Sequence, residues 1–316
     1  MQVSSRHNTD KSEHGAAVLA PLQVIESKGF ADYRLLDSGN GRKLERFGAV
    51  VVDRPEPQAM WRAAHPAETW AQAHAAFAGS DEEESGKWRQ LRTVPESWPV
   101  RLGQVTVLCR LTSFRHVGLF PEQLPHWEWM VAGLGRMRLE RPRVLNLFAY
   151  TGAASLLAAK AGAEVTHVDA SKRAIAWAKE NQRASSLETA PVRWMLDDAR
   201  KFAQREIRRG RTYNVILVDP PKFGRGPGNE VWELFDHLPA LMRDCAALLE
   251  RSKAILVLTA YAIRASALSI DQLTREALAD RAGRFASGEL AIREEHGGRA
   301  LPTSLFTRWC SDDIAL

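Results

Sequence analysis

Cysteine is scarce in this chain of 316 residues: Cys109, Cys245 and Cys310 are the only three. They are odd in number, far apart and form no C-x-x-C pair, which argues against a disulfide framework and a structural zinc site. They read as small buried hydrophobes. Long apolar runs are missing as well. No stretch approaches the roughly 20 residues that span a bilayer. Met1–Gly15 is polar and lacks the apolar core of a signal peptide. Residues 1–20 read as a disordered leader, and a soluble cytoplasmic protein is the expectation. Lysine is sparse: ten of the 43 basic residues, so arginine supplies most of the net charge of +5. That mild basicity is compatible with a polyanion such as RNA, and equally with an arginine-rich genome. The glycine patterns of nucleotide folds are absent too. Neither G-x-G-x-x-G nor G-x-x-x-x-G-K-[ST] follows a strand, which argues against a dinucleotide or triphosphate site.

What is present is ordinary globular composition, 45% hydrophobic and 26% charged, with length for a large core and a smaller module. Residues 21–112 read as a mainly-β module. Tyr33–Asp37 and Arg42–Phe47 flank a hairpin turn at Ser38-Gly39-Asn40-Gly41, and Ala49–Asp53 is a strand halted by Arg54-Pro55-Glu56-Pro57. Thr69–Phe77, rich in alanine, reads as a helix, Gly79–Gly86 as an acidic surface loop, and Gln104–Leu111 as a strand. From 113 to 316 the pattern changes. A helix is expected over Gln123–Arg138, with Trp127, Met130, Val131 and Leu134 at helical spacing and Gly133-Leu134-Gly135 near its end. Strands near 143–148, 164–168, 191–196, 213–218 and 253–259 then alternate with helices near 153–161, 171–185, 198–209 and 230–250. Such alternation implies an α/β fold: a doubly wound, mostly parallel sheet covered on both faces. Ala286–Glu294 and Ser304–Trp309 have no room for a helix between them and should pair antiparallel at the sheet edge.

Three strand ends carry the chemistry. The first is Asn146-Leu147-Phe148-Ala149-Tyr150-Thr151-Gly152. Its single glycine suits a ligand without a buried pyrophosphate. S-adenosyl-L-methionine fits, because its amino-acid carboxylate could meet the backbone N–H groups around Tyr150-Thr151-Gly152 at a helix start. A tight turn without a ligand is the plainer alternative. The second is Asp169-Ala170-Ser171, with Asp169 standing 17 residues after Gly152. A carboxylate there can accept both ribose hydroxyl protons, or can cap the helix that begins near Ser171; with the turn before it, the ribose role is preferred. Between these and the last strand end, Asp197-Asp198-Ala199 offers one carboxylate to an adenine amino group and one to a helix cap; Asp198 and Ala199 are assigned to adenine. The third is Asp219-Pro220-Pro221-Lys222-Phe223. Its prolines fix a backbone that cannot continue a strand. Asp219 can orient or deprotonate an acceptor, and Lys222 can steady negative charge or simply be solvated. Gly224–Gly228 is a loop that either touches substrate or only connects. Arg200, Lys201, Arg205, Arg208, Arg209 and Arg211 form a basic helical run, which is usually a solvated face.

Together N-L-F-A-Y-T-G, the acidic strand end and D-P-P-K-F-G resemble class I S-adenosylmethionine-dependent methyltransferases, in particular the branch of bacterial 23S ribosomal RNA cytosine-5 methyltransferases. The resemblance spans about residues 114–310. It includes His116-Val117-Gly118-Leu119-Phe120-Pro121-Glu122-Gln123, similar to the family's K-T-G-F-F-L-D-Q segment. It implies a seven-stranded sheet with its last two strands antiparallel, and Phe120 and Gln123 near the methyl donor. It departs from the branch in two respects, one being that residues 21–112 do not read as the small RNA-binding domain that many relatives carry. The family's nucleophilic cysteine lies in an S-C-S segment after the fifth strand, where this chain reads Leu258-Thr259-Ala260-Tyr261-Ala262-Ile263-Arg264. A nitrogen or oxygen acceptor is therefore preferred to cysteine-dependent C5 chemistry. The reading that results is a methyltransferase using S-adenosyl-L-methionine on RNA, without metal, with Asp219, Pro220 and Lys222 at the acceptor. The alternatives are a methyltransferase for a small molecule or protein, and a non-catalytic RNA-binding protein on the same scaffold.

Overall fold

The computed structural model describes residues 21–79, 86–261 and 263–316. The leader expected at 1–20 and the acidic loop at 80–85 lie outside the described residues. The N-terminal part runs β1 (Gln23–Ser27), β2 (Tyr33–Gly39), β3 (Arg42–Phe47), β4 (Val50–Pro55), a one-turn α1 (Ala67–Trp70), β5 (Ala75–Ala78), β6 (Lys87–Gln90), β7 (Trp98–Leu102) and β8 (Val105–Cys109). A 3-10 turn at Pro121–Gln123 leads into α2 (Leu124–Met137), β9 (Arg143–Leu147), α3 (Ala153–Lys160), β10 (Glu164–Asp169), α4 (Lys172–Ala184), β11 (Val192–Leu196), α5 (Ala199–Arg208) and β12 (Val215–Val218). The chain closes with β13 (Phe223–Arg225), β14 (Val231–Glu233), α6 (Leu234–Leu248), β15 (Ile255–Tyr261), α7 (Ala267–Ala277), β16 (Gly283–Arg293) and β17 (Ala300–Ser311).

The main sheet has the order β1-β16-β17-β15-β12-β9-β10-β11. β9 sits between β10 and β12, parallel to both, so the chain reverses direction across the sheet there. In open α/β sheets that is where a crevice forms beyond the strand ends. The core follows from burial on both faces. Val144, Val215, Leu217, Ile255 and Val257 face α2 and α3, whereas Leu145, Ile216, Val218, Leu256 and Leu258 face α5 and α6. Successive side chains of a strand point to opposite faces, so strands sandwiched between helices become continuous apolar runs.

The strand count differs from the expectation. Among the described residues the sheet has eight strands, because β1 adds in parallel outside β16. β16 and β17 do pair antiparallel, but they do not form the edge. β17 alone runs against its neighbours. The close approach of β1 depends on Gly288, which pairs with Gln23; a Cβ at Gly288 would lie 1.8 Å from the Gln23 carbonyl oxygen. Gly288→Ala is expected to destabilise the protein by about 1–3 kcal/mol, as overpacking does. In hydrogen exchange β1 should lose protection before β9 and β12 do.

The N-terminal residues build a five-stranded sheet, β2-β3-β4-β5-β6, and the β7-β8 hairpin. The turn expected at 38–41 is present, with Asn40 and Gly41 both at positive φ as a tight hairpin requires. The alanine-rich stretch 69–77 is mostly not helical: α1 ends at Trp70, and Ala75 and Phe77 are buried in β5 between β4 and β6. Tertiary pairing has overridden alanine's helix propensity. Segment 224–228 is not a free loop either. β13 and β14 form a hairpin around it, and its tip is held by Lys201 to Glu230 and by the Gly228 N–H to Glu230 Oε2 at 2.8 Å. Among the described residues no helix is long and apolar enough to cross a membrane.

Candidate functional site

The carboxyl ends of β9, β12 and β15, the start of α3 and the segment 118–127 enclose a cavity of about 60 Å³. Ligand pockets measure about 300–1,000 Å³, so this cavity can hold only part of a ligand of that class. Phe120, Gln123, Asn146, Phe148, Tyr150, Thr151 and Asp219 all line it. The structure thus brings together the first strand end, the fourth strand end and the segment before α2. Gly152, Asp169, Ala170, Ser171, Asp198, Ala199, Pro220 and Lys222 are not in its wall.

The turn after β9 is backbone-strained. Phe148, Tyr150 and Gly152 have φ of 55°, 50° and 85°, and the two aromatic residues cost on the order of 1–3 kcal/mol each in that region. Asp169 holds the turn. Its Oδ2 accepts from the Tyr150 N–H and its Oδ1 from the Ser171 N–H, both at 2.8 Å. Burial pushes the Asp169 carboxyl above its ordinary range, and these two bonds pull the other way. A carboxylate has about four lone-pair sites, so each oxygen keeps one for a ligand. Ser171 caps α4, accepting from the Ala174 N–H.

Of the N–H groups proposed to receive a carboxylate, Tyr150 donates to Asp169 and Gly152 to the Ala149 carbonyl. What the turn offers instead is the first turn of α3, whose N-cap Gly152 supplies no side-chain bond. Those N–H groups have no partner within the helix. Thr151 is fixed by its hydroxyl donating to the Gly118 carbonyl at 2.6 Å and by Asn181 donating to its carbonyl. Asn146 donates to Ser155 Oγ, which meets His167 Nδ1 at 2.9 Å. Burial drops the His167 pKa to about 3, so the ring is neutral.

At the end of β11 both carboxylates have partners within the protein. Asp198 is the cap: its Oδ1 accepts from the N–H groups of Arg200 and Lys201, both at 3.0 Å. It sits before α5 in the extended conformation that an N-cap needs. Asp197 pairs with Arg205. Ala199 is buried at the first position of α5. The basic run on α5 is largely taken up within the protein, through Arg200 to the Val231 carbonyl, Lys201 to Glu230, Arg205 to Asp197 and Arg209 to Glu206.

Asp219 occupies the other side of the cavity. Gln123 Nε2 donates to its Oδ2 at 3.1 Å, and Thr259 Oγ1 donates to Gln123 Oε1 at 3.3 Å. Burial, with the negative charge of Glu122 nearby, pushes the Asp219 carboxyl up to about 7. Glu122 is itself buried, and the charged groups acting on it include Lys43, Glu45 and Arg54 of the N-terminal sheet. The rigid turn is locked by Trp232 Nε1 donating to the Pro221 carbonyl at 2.7 Å. Pro220 is buried, and Lys222 is exposed. All three cysteines are buried and free, none lines the cavity, and burial raises the thiols of Cys109 and Cys245. Sequence reasoning missed Thr259 and His126. Thr259 was legible as a polar residue near the end of a central apolar strand, by the logic that found Asp219.

The family model described as "Conserved hypothetical protein 95" matches residues 129–264. A ribosomal RNA large subunit methyltransferase K/L of Syntrophotalea carbinolica is 33% identical over 147 residues, 46% of this chain and 20% of the relative. A ribosomal RNA large subunit methyltransferase I of Aeromonas hydrophila is 39% identical over 85 residues, 27% of this chain and 21% of the relative. The chain spans about a fifth of the length of these curated relatives. The crystal structure of an S-adenosylmethionine-dependent methyltransferase from Agrobacterium tumefaciens is 54% identical, with a TM-score of 0.85, over 91% of this chain and 93% of that one. That likeness runs across the N-terminal sheets as well as the cleft. The chain belongs to the class I S-adenosylmethionine-dependent methyltransferases.

Proposed function

We propose that this enzyme methylates RNA at a nitrogen or oxygen, with Asp219 as the group that orients and deprotonates the acceptor. When bound, S-adenosylmethionine supplies an electrophilic methyl group on a sulfonium. The donor set fits it: an uncapped helix start for a carboxylate, spare lone pairs on Asp169 for ribose hydroxyls, and no glycine cradle for phosphates. Phe120, Gln123, Asn146, Phe148, Tyr150, Thr151 and Gly152 surround the donor, and Asp169, Ala170, Ser171, Asp198 and Ala199 take its adenosine end. Pro220 sets the Asp219 backbone, and Lys222 reaches outward to the acceptor's surroundings. Positioning and exclusion of water carry most of the rate in such a displacement. In this reading residues 113–316 form the donor-binding unit, residues 21–112 support the segment over the cavity, and the enzyme works in the cytoplasm.

The observation that carries the proposal is Asp219, held beside the cavity with a carboxyl near neutrality and no cysteine in the wall. RNA as acceptor is supported by the names of the curated relatives. A small-molecule acceptor is the second reading, favoured by the internal pairing of the α5 cations, which leaves less positive surface for a polyanion. Transfer of a labelled methyl group by the purified protein decides between them. Label in total RNA, absent with Asp219→Asn, is the expected outcome. Label only in a metabolite extract would replace the first reading by the second.

A further inference from the structure

The cavity has one wall that the reaction as described leaves unused. His126, in the first turn of α2, lines the cavity and is 1% exposed. Arg308 of β17 donates from Nε to His126 Nδ1 at 2.6 Å. A guanidinium has no acceptor atom, so Nδ1 must carry the lone pair and the ring proton sits on Nε2. Burial, then the Arg308 charge, pushes the His126 pKa well below its ordinary value, so the ring stays neutral with that one N–H. Nε2 is buried and has no partner among the described residues.

Arg308 itself is 8% exposed. It stacks on Trp129 at 5.1 Å and Phe306 at 5.7 Å, its Nη2 lacks a partner, and no carboxylate pairs with it among the described residues. A buried cation without a counter-ion, next to a buried N–H without an acceptor, is an expensive arrangement for folding alone. The same cavity receives Ala153 and Ala154 from the uncapped first turn of α3. A helix N-terminus, an orphan N–H and an unpaired guanidinium all favour an anion.

We propose that His126, held in a single tautomer by Arg308, donates from Nε2 to the α-carboxylate of the methyl donor's amino-acid arm, with the start of α3 serving the same group. His126 is thus a specificity residue, and Arg308 a positioning residue that acts through it. The inference rests on S-adenosylmethionine as the donor.

Calorimetry with two ligands tests it. One is S-adenosylhomocysteine. The other is its decarboxylated analogue, S-adenosyl-3-thiopropylamine, which keeps the amine and lacks only the carboxylate. The unaltered protein should prefer the first. His126→Phe should weaken it about tenfold or more, as loss of a hydrogen bond to a charged group does, and leave the second within about twofold. His126→Gln, which keeps an N–H donor, should recover most of the preference, and Arg308→Met should lose part of it. Using the ratio of two affinities removes any general loss of folded protein. Equal weakening of both ligands, or undiminished preference in His126→Phe, would overturn the assignment while leaving the donor intact. Failure of the unaltered protein to bind S-adenosylhomocysteine would overturn the donor reading and this inference together.

Discussion

Asp169→Ala should lower the affinity for S-adenosylhomocysteine by about a hundredfold or more. Two effects add. The ribose hydroxyls, which we place on Asp169, lose their charged acceptor, and hydrogen bonds to charged groups are worth about 1.5–3 kcal/mol each. The turn after β9 also loses its clamp. Among the described residues the Tyr150 N–H is held by Asp169 Oδ2, and the left-handed conformations of Phe148 and Tyr150 persist because surrounding bonds enforce them. The variant should therefore melt earlier as well as bind more weakly. Asp169→Asn separates the contributions, since it can keep one carbonyl acceptor for the backbone while losing the charge. Calorimetry and a thermal melt on the same samples check this. Unchanged affinity in Asp169→Ala would remove the adenosine site from this strand end.

Single-turnover methyl transfer should rise with pH and level off above about 7, following ionisation of Asp219. The direction comes from the carboxyl's displacement from its ordinary 3.8 to about 7: below that pH the group is protonated and cannot take a proton. Asp219→Asn should slow transfer by about 10²–10⁴-fold, the usual range for general-base loss. Glu122→Gln should move the inflection downward, because Glu122 raises the Asp219 value. Stability runs the opposite way. A carboxyl raised in the folded state stabilises fully below its unfolded value near 4, and that contribution is lost as pH climbs through about 7. Asp219→Asn should thus gain melting temperature over the native enzyme at pH 8 while losing activity. A flat pH profile in single-turnover conditions would remove Asp219 as the base.

Much of the sheet was legible because burial on both faces leaves a plain signature. The run at 215–218 is continuous and apolar, those at 144–148 and 165–168 are interrupted only by the buried Asn146, Thr166 and His167, and each ends where the cavity or its flank begins. What was not legible depends on partners distant in sequence. β1 is a short, half-exposed strand whose register is set by β16, about 260 residues away. α7 went unforeseen, although Ser266 caps it through the Leu268 N–H. Its sequence mixes serine, threonine and charge with few large apolar residues, so no helical stripe stands out. His126 and Arg308 illustrate the same limit. Each reads as an ordinary polar residue in an apolar neighbourhood, and only the packing of β17 against α2 shows that both are buried together without a carboxylate. At Asp197-Asp198 residue type named two roles, but cap geometry assigned one of them.

The proposed reaction is methyl transfer to RNA at an atom that needs no cysteine nucleophile. Mass spectrometry of the modified nucleosides from a strain lacking this gene tests it most directly. The predicted result is the loss of one methylated nucleoside, with the methyl on nitrogen or oxygen, restored by the native gene but not by Asp219→Asn. An unchanged set of methylated nucleosides, or the loss of 5-methylcytidine, would contradict it.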